Sequence, residues 1–176
     1  MQKFIVKITQ ENDALLNDED LGCFVLSDSL TDAFCFGALQ KAKESDKLVL
    51  CESVEKCLAY GTDGVLLDFS ASQNIAKDYA LQTQKLKKKI VGAICRNRRH
   101  EAMLVSECEP DFVVFKCWHD GWEKIKELTD WYGEMFLIQS ALMPVEDINF
   151  DAFETDFVIL TDKTYKNFLA KNNKNQ

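Results

Sequence analysis

The sequence predicts an α/β fold, a compact (β/α)₈ barrel with shortened helices, and three observations lead to it. The chain of 176 residues contains eight short runs rich in Val, Ile, Leu and Phe. Most runs are continuous rather than alternating, which is typical of parallel strands covered on both faces. Most segments between the runs have helical periodicity. An open, doubly wound parallel sheet with fewer strands is the alternative, because such barrels usually need at least about 200 residues.

The predicted strands follow from the apolar runs in chain order. They are FIVKI (4–8), CFVL (23–26), KLVLC (47–51), GVLLD (64–68), IVGAIC (90–95), FVVFK (112–116), MFLIQ (135–139) and FVILT (157–161). Because each run is short and strongly apolar, each is long enough for one barrel strand and too short for a buried helix.

The connections between the strands are predicted as helices from their periodicity and end signals. Val54, Cys57 and Leu58 share one helical face, and Gly61 and Gly133 are expected helix ends. The first connection, QENDALLNDEDLG, has room for only one or two helical turns. Every later strand is expected to be followed by a helix, and several of these helices must be short.

No linker or low-complexity tract interrupts this pattern. We therefore expect one barrel domain over residues 1–171 and a disordered tail over 172–176. The first apolar run is short and interrupted by Lys3 and Lys7, so neither a signal peptide nor a membrane span is predicted. We expect a cytoplasmic protein without a membrane partner. The net charge of −8 disfavours attraction to phosphate backbones, so no nucleic-acid partner is expected.

The cysteine content indicates buried free thiols. The chain has seven cysteines and no C-x-x-C pair, which argues against a disulfide framework and against a zinc ribbon. Most of them lie within apolar runs, where cysteine behaves as a small hydrophobic residue. A reactive thiol at Cys51, Cys95 or Cys117 is the alternative, because each of these falls at the end of a predicted strand.

The chain from Gly61 onwards carries a family resemblance. The stretches GTDGVLLD, KIVGAICRNRRHEAMLVSECEPDFVVFKCW, MFLIQSALMPVEDI and DFVILT follow in this order. In order and spacing they resemble the thiamine-phosphate synthase (thiamine monophosphate synthase/TenI) family. There, a strand reading roughly G-A-D-G-V-H-L-G precedes I-I-G-x-S, a helix ending in A-D-Y-V, and a strand with G-G-I. The resemblance implies a TIM barrel and a link to thiamine biosynthesis.

The residues that the resemblance would assign to phosphate chemistry are largely absent, which implies a degenerate active site. The family binds a pyrimidine pyrophosphate with a basic Q-L-R-x-K strand and Mg²⁺-binding acids, and a thiazole phosphate on glycine-rich turns. Here the second strand reads CFVLSDS, and the two turns read GAIC (92–95) and SAL (140–142). Glycine lets backbone N–H groups approach phosphate closely. We therefore expect a relative that lacks synthase activity.

Polar residues follow several predicted strands and are expected at one rim of the barrel, because the carboxyl ends of parallel strands meet there. The candidate ligand-binding residues are Glu52, Asp68, Arg96, Lys116 and Gln139. Asp68 and Glu52 are candidate ligands of Mg²⁺; the alternative is that both are solvated or paired with Arg96 and Lys116. No other cofactor, no zinc site and no catalytic residue is assigned.

Arg96 belongs to the densest basic cluster, CRNRRHE (95–101). It follows a strand and precedes a helix, so the cluster is a candidate anion site that combines Arg96 with helix N–H groups. The alternative is a solvated first helical turn with Asn97 as its N-cap.

Two functions fit these observations. One is an enzyme or binder of a small phosphorylated or carboxylated metabolite at the strand ends. The other is a non-catalytic relative that acts through protein contacts as a homodimer. A concave polar rim would favour the first function, and a barrel mouth filled by apolar side chains would favour the second.

Overall fold

The computed structural model describes residues 3–173 and contains a closed barrel of eight parallel strands in the order β1 to β8. The strands are β1 (Lys3–Ile8), β2 (Cys23–Leu26), β3 (Leu48–Cys51), β4 (Gly64–Asp68), β5 (Ile90–Ile94), β6 (Phe112–Cys117), β7 (Gln139–Pro144) and β8 (Phe157–Thr161). The barrel closes because β1 pairs with β8, from Lys3 opposite Phe157 to Lys7 opposite Thr161. The predicted (β/α)₈ fold is confirmed, and the open sheet is excluded.

Seven of the eight predicted strands agree with the structure to within one residue at each end. The exception is the strand that was predicted between the fifth helix and the last strand. The run 135–139 was predicted as a strand, but Met135 is the last residue of a helix and Gln139 is the first residue of β7. Phe136 stacks on Tyr132 at 4.8 Å between ring centroids, and Leu137 is fully exposed. The apolar residues of this run thus include the end of the helix and a ring that packs against it, and the less apolar QSALMP forms the strand.

In the described part of the chain, five α-helices and two short 3₁₀ helices connect the strands, and a sixth α-helix follows β8. The α-helices are α1 (Asp32–Glu44), α2 (Val54–Tyr60), α3 (Ile75–Thr83), α4 (Arg99–Ser106), α5 (Trp122–Met135) and α6 (Asp162–Asn173). The 3₁₀ helices, Ala14–Asn17 and Phe150–Ala152, follow β1 and β7. The short first connection is confirmed, whereas an α-helix after β7 was wrongly expected. Because two of the connections are short 3₁₀ helices instead of α-helices, a chain below the usual size can close a complete barrel.

The helix boundaries follow local signals, with two corrections. Gly61 ends α2 in the left-handed conformation, with φ at 69°, as predicted. Gly133 does not end a helix but lies inside α5. Helix α6 continues to Asn173, two residues into the segment expected to be a disordered tail, and residues 174–176 lie outside the described part of the chain.

An aspartate before each of β4, β6 and β8 fastens the amino end of the preceding strand. Each aspartate makes two hydrogen bonds with one residue of the preceding strand. Its carboxylate accepts the backbone N–H of that residue, and its own backbone N–H donates to the carbonyl of that residue. The pairs are Asp63 with Val49, Asp111 with Val91 and Asp156 with Ser140, with N–H to carboxylate distances of 2.8, 2.7 and 2.8 Å. We call these contacts the aspartate clamps. They reinforce the ladder where each strand begins.

The core has an inner layer within the barrel and an outer layer beneath the helices. Two glycines make the inner layer possible. A Cβ at Gly64 would lie 2.1 Å from the Ile90 carbonyl oxygen, and a Cβ at Gly92 would lie 2.3 Å from the Phe112 ring. Both positions therefore require glycine because neighbouring atoms already occupy the space. No helix within residues 3–173 is both long and apolar enough to cross a membrane.

Candidate functional site

Four of the five predicted site residues lie at the carboxyl end of the barrel. Asp68 is the last residue of β4, Lys116 is near the end of β6, and Glu52 and Arg96 follow β3 and β5. Gln139 was wrongly placed at this rim. It begins β7 and therefore lies at the opposite, amino-terminal end of the barrel, where it lines a cavity of about 900 Å³.

The residues at the rim share one position relative to the core, because each follows an inward-facing core residue by two positions. Side chains of a strand alternate between faces, so this spacing directs those within strands, such as Asp68 and Lys116, to the inside of the barrel. Ser27, Glu52 and Arg96 lie one or two residues beyond the ends of their strands. The inward-facing residues are Ile5, Val25, Leu50, Leu66, Ile94, Val114, Ala141 and Ile159. The set of residues two positions after them, which we call the rim ring, consists of Lys7, Ser27, Glu52, Asp68, Arg96, Lys116, Met143 and Thr161. Each strand thus contributes one residue, and seven of the eight are polar.

Lys116 and Asp68 form one ion pair of the rim ring. Lys116 Nζ donates to Asp68 Oδ2 at 2.7 Å, and the Ser70 N–H donates to Asp68 Oδ1 at 2.9 Å. Burial opposes ionisation of Asp68, but the hydrogen bonds from Lys116 and Ser70 outweigh it and lower the pKa of this carboxyl. Asp68 is therefore ionised at neutral pH.

Lys7 and Glu52 form the second ion pair, with each side chain 25% exposed. Glu52 also accepts the Asp28 N–H at 2.9 Å. Burial raises the pKa of Glu52, but the contacts with Lys7 and Asp28 lower it by a larger amount, so the pKa of Glu52 lies below its usual value. Lys7 was not predicted as a site residue. Its signal was a lone cation two positions after the apolar Ile5 in the first strand.

Arg96 is the most exposed cation of the rim ring, at 44% of its side chain. Its Nε donates to the Ser70 carbonyl, and its Nη1 lies 3.7 Å from Glu101 Oε1. Asn97 is not the N-cap of the following helix, contrary to the alternative considered from the sequence. The cap is Arg98, while the Asn97 amide donates to the Lys116 carbonyl at 2.7 Å.

The two carboxylates of the rim ring already have cationic partners. Glu52 is bound by Lys7 and Asp68 by Lys116, so a divalent cation at either carboxylate would have to replace a lysine. Within the described part of the chain, no group of three or more His, Cys, Asp or Glu residues is arranged to hold a metal ion. The pairing of these acids with basic residues was foreseen, although Glu52 pairs with Lys7 rather than with Arg96 or Lys116.

The cysteines at strand ends are buried, and the pKa values of their thiols are raised. Burial raises the pKa of Cys51 to about 11, that of Cys95 to about 12 and that of Cys117 to about 11. All three thiols therefore remain protonated near neutral pH, and the thiolate is the reactive form. Their environment agrees with the role of small hydrophobic residues in the core.

Comparison with known proteins identifies the fold and not a family. No protein-family model and no curated protein matches the sequence. Tryptophan synthase from M. tuberculosis, in its aminoacrylate- and BRD0059-bound form, matches with a TM-score of 0.67 and 8% identity over 91% of this chain and 82% of that chain. A variant of the citrate synthase SbnG matches with a TM-score of 0.58 and 12% identity over 99% of this chain and 93% of that chain. At such low identity these similarities support the TIM-barrel fold alone.

Proposed function

We propose that the protein binds a small carboxylated or phosphorylated metabolite at the rim ring. One observation carries this proposal. The ring contains three cations, Lys7, Arg96 and Lys116, and two carboxylates, Glu52 and Asp68, so its formal charge is +1 in a chain of net charge −8. A group of residues with a net positive charge at the carboxyl end of an acidic barrel attracts an anion locally. The polar character of seven of the eight rim-ring positions supports this proposal over a non-catalytic relative.

The contacts within the rim ring leave Arg96 and Lys116 with donors that can bind the anionic group of a ligand. Among residues 3–173, the nearest carboxylate to Arg96 is that of Glu101 at 3.7 Å, and the guanidinium is matched to the planar geometry of a carboxylate or phosphate oxygen pair. Lys116 presents three donors, of which Asp68 uses one. A bound anion would contact Arg96 directly and share Lys116 with Asp68.

Kinship with thiamine-phosphate synthases remains part of the proposal. Support comes from the barrel and from the order of the motifs quoted above. The phosphate turns of the pattern are not retained, since residues 92–94 lie within β5 and residues 140–142 lie within β7. Gly92, the remaining glycine, accommodates the Phe112 ring. These features favour ligand binding without the family's coupling reaction.

The experiment is titration of inorganic phosphate and of succinate into the protein by calorimetry. Loss of one charge-assisted hydrogen bond corresponds to about tenfold weaker binding or more, so Arg96→Ala should show that loss. The melting temperature should be nearly unchanged because the Arg96 side chain is half-exposed. Arg98→Ala is the matched control, since Arg98 is exposed in the same basic segment but outside the rim ring.

Equal anion binding by the parent and Arg96→Ala, or equal losses in both variants, would contradict the proposal. Either result would favour the second candidate, a non-catalytic protein that acts as a homodimer. The non-catalytic part of that candidate rests on the pairing of Lys7 with Glu52 and of Lys116 with Asp68, because charges that already have partners do not require a ligand.

A further inference from the structure

We propose that the amino-terminal end of the barrel is a second ligand site, which binds an uncharged amphipathic small molecule. The cavity of about 900 Å³ at this end has the size of a small-molecule site. Its walls are mainly apolar and include Cys23, Leu48, Ile90, Phe112 and Phe157. Most ligand sites have this composition, an apolar body with a few polar groups that orient the ligand.

The cavity is open because two strands contribute little volume to the first inward layer. Strand β2 provides only the thiol of Cys23, and β4 provides no side chain at all at Gly64. Gly64 cannot be replaced by a larger residue, since the Ile90 carbonyl occupies the position of its Cβ. Leu48, the first residue of β3, lines the cavity and is 44% exposed. The β4–β5 packing thus keeps Gly64 from adding a side chain to this end of the barrel.

A smaller polar pocket of about 340 Å³ adjoins the apolar cavity, and Lys3, Gln139 and Phe157 line both. The polar pocket also contains Glu154 and Thr155. Lys3 and Gln139 have no side-chain hydrogen-bond partner among residues 3–173. Together the two spaces fit a ligand with an apolar body and a polar head.

The charges around this end favour an uncharged head. In the polar pocket Lys3 carries a positive charge and Glu154 a negative one, while the carboxylate of Asp156 already accepts the Ser140 N–H. Gln139 offers both a donor and an acceptor. Asp20 and Asp111 line the apolar cavity and would repel an anionic head. A hydroxyl or carboxamide head can bond to Lys3, Gln139 or Glu154 without bringing an unpaired charge to the site.

The site is separate from the rim ring. It lies at the opposite end of the barrel, and side chains of the inner core, including Ile5 and Leu50, form its inner wall. Its occupation therefore does not depend on the function proposed for the carboxyl end, and the two sites can be tested independently.

The experiment uses the neutral fluorophore 1-N-phenylnaphthylamine, whose emission rises in apolar surroundings. We expect saturable binding to the parent protein and displacement by 1-decanol, with decanoate at least about tenfold weaker because of Asp20 and Asp111. Leu48→Trp should weaken fluorophore binding about tenfold or more by filling the cavity. Leu58→Trp is the matched control, because Leu58 is 45% exposed against 44% for Leu48 and lies on α2 outside the cavity.

The site is disproved if the parent does not bind the fluorophore, or if Leu48→Trp binds it as well as Leu58→Trp does. Decanoate displacing as well as 1-decanol would disprove the uncharged head. Where Leu48→Trp lowers the melting temperature, Gln139→Trp replaces it, because Gln139 is exposed at the first position of β7 and lines both spaces. Loss of binding in that folded variant supports the site, and retained binding overturns it.

Discussion

Asp162 connects the segments that follow β1 and β8, the two strands whose pairing closes the barrel. Its side chain is buried and accepts hydrogen bonds from the Thr9 hydroxyl at 2.7 Å, from the N–H groups of Thr9 and Gln10 at 3.1 Å each, and from the Lys163 N–H at 3.0 Å. Burial opposes ionisation, but these donors outweigh it and lower the pKa of Asp162. The residue connects the loop after β1 to the start of α6.

Asp162→Asn should destabilise the fold by about 3 kcal/mol, because a neutral amide would meet N–H groups that now bond to a carboxylate. The free energy of unfolding in urea measures this effect. The folded pKa lies below the unfolded value of about 3.9, so the stabilisation is present above that pH and is lost as the pH falls through the folded pKa. The variant should therefore lose less stability than the parent in this acidic range.

A control for this variant is Asp147→Asn. The side chain of Asp147 is 83% exposed and pairs with Lys171 on the surface, so its replacement should change stability by less than about 1 kcal/mol. Similar losses in the two variants would show that the buried donors around Asp162 are unimportant.

The aspartate clamps act on strands rather than on single contacts. They precede alternate strands, in the sequences TDGV, PDFV and TDFV, and each ties one strand to the one before it. Because the aspartate bonds through both its N–H and its carboxylate, both the carbonyl and the N–H of one residue at the start of each fastened strand have a partner. Three strand pairs thus share one device at the amino-terminal end.

Asp111→Ala should lower the free energy of unfolding by about 1–2 kcal/mol, because the Val91 N–H loses its acceptor at a half-buried position. Hydrogen exchange of the Val91 amide should become faster than that of the other β5 amides. Asp120→Ala, at an exposed position after β6, serves as the control. Unchanged exchange at Val91 would mean that water replaces the carboxylate without loss.

At the level of elements, the sequence was most informative where a strand is covered on both faces. Continuous apolar runs predicted β2, β4 and β8 with their observed bounds. The same criterion failed for β7, because Phe136 packs at the end of α5 and creates an apolar run outside any strand. A period of apolar residues cannot by itself distinguish a helix end from a strand when the run is this short.

The whole molecule separates its polar and apolar openings. The rim ring gathers ionic groups at the carboxyl end, and the apolar cavity lies at the amino end. Four site residues could be predicted because they lie at or just after the carboxyl ends of strands, namely Glu52, Asp68, Arg96 and Lys116. Which cation faces which acid could not be predicted, since the pairing of Lys7 with Glu52 depends on the registers of β1 on β2 and of β2 on β3. The cavity likewise depends on the assembly of several strands.

No thiamine-phosphate synthesis is expected with Mg²⁺ and the family's two substrates. The second strand contributes Ser27 to the rim ring where the family pattern has basic residues, so the pyrophosphate charge has no donor there. One such donor is worth about 3–4 kcal/mol of transition-state stabilisation. Product detection by mass spectrometry, with an active family member assayed alongside, measures the reaction. Turnover comparable with that enzyme would show that other residues supply the missing donors.

The pairing of β1 with β8 also determines when the fold can form during synthesis. The two strands are joined by five residue pairs, yet most of the described chain lies between them. Until β8 has been made, β1 and β7 have free edges that can pair with another chain. Contacts between such distant segments form slowly, and slow closure prolongs the exposure of apolar strands. Nascent chains that stop before residue 157 should therefore depend on chaperones far more than the complete barrel does.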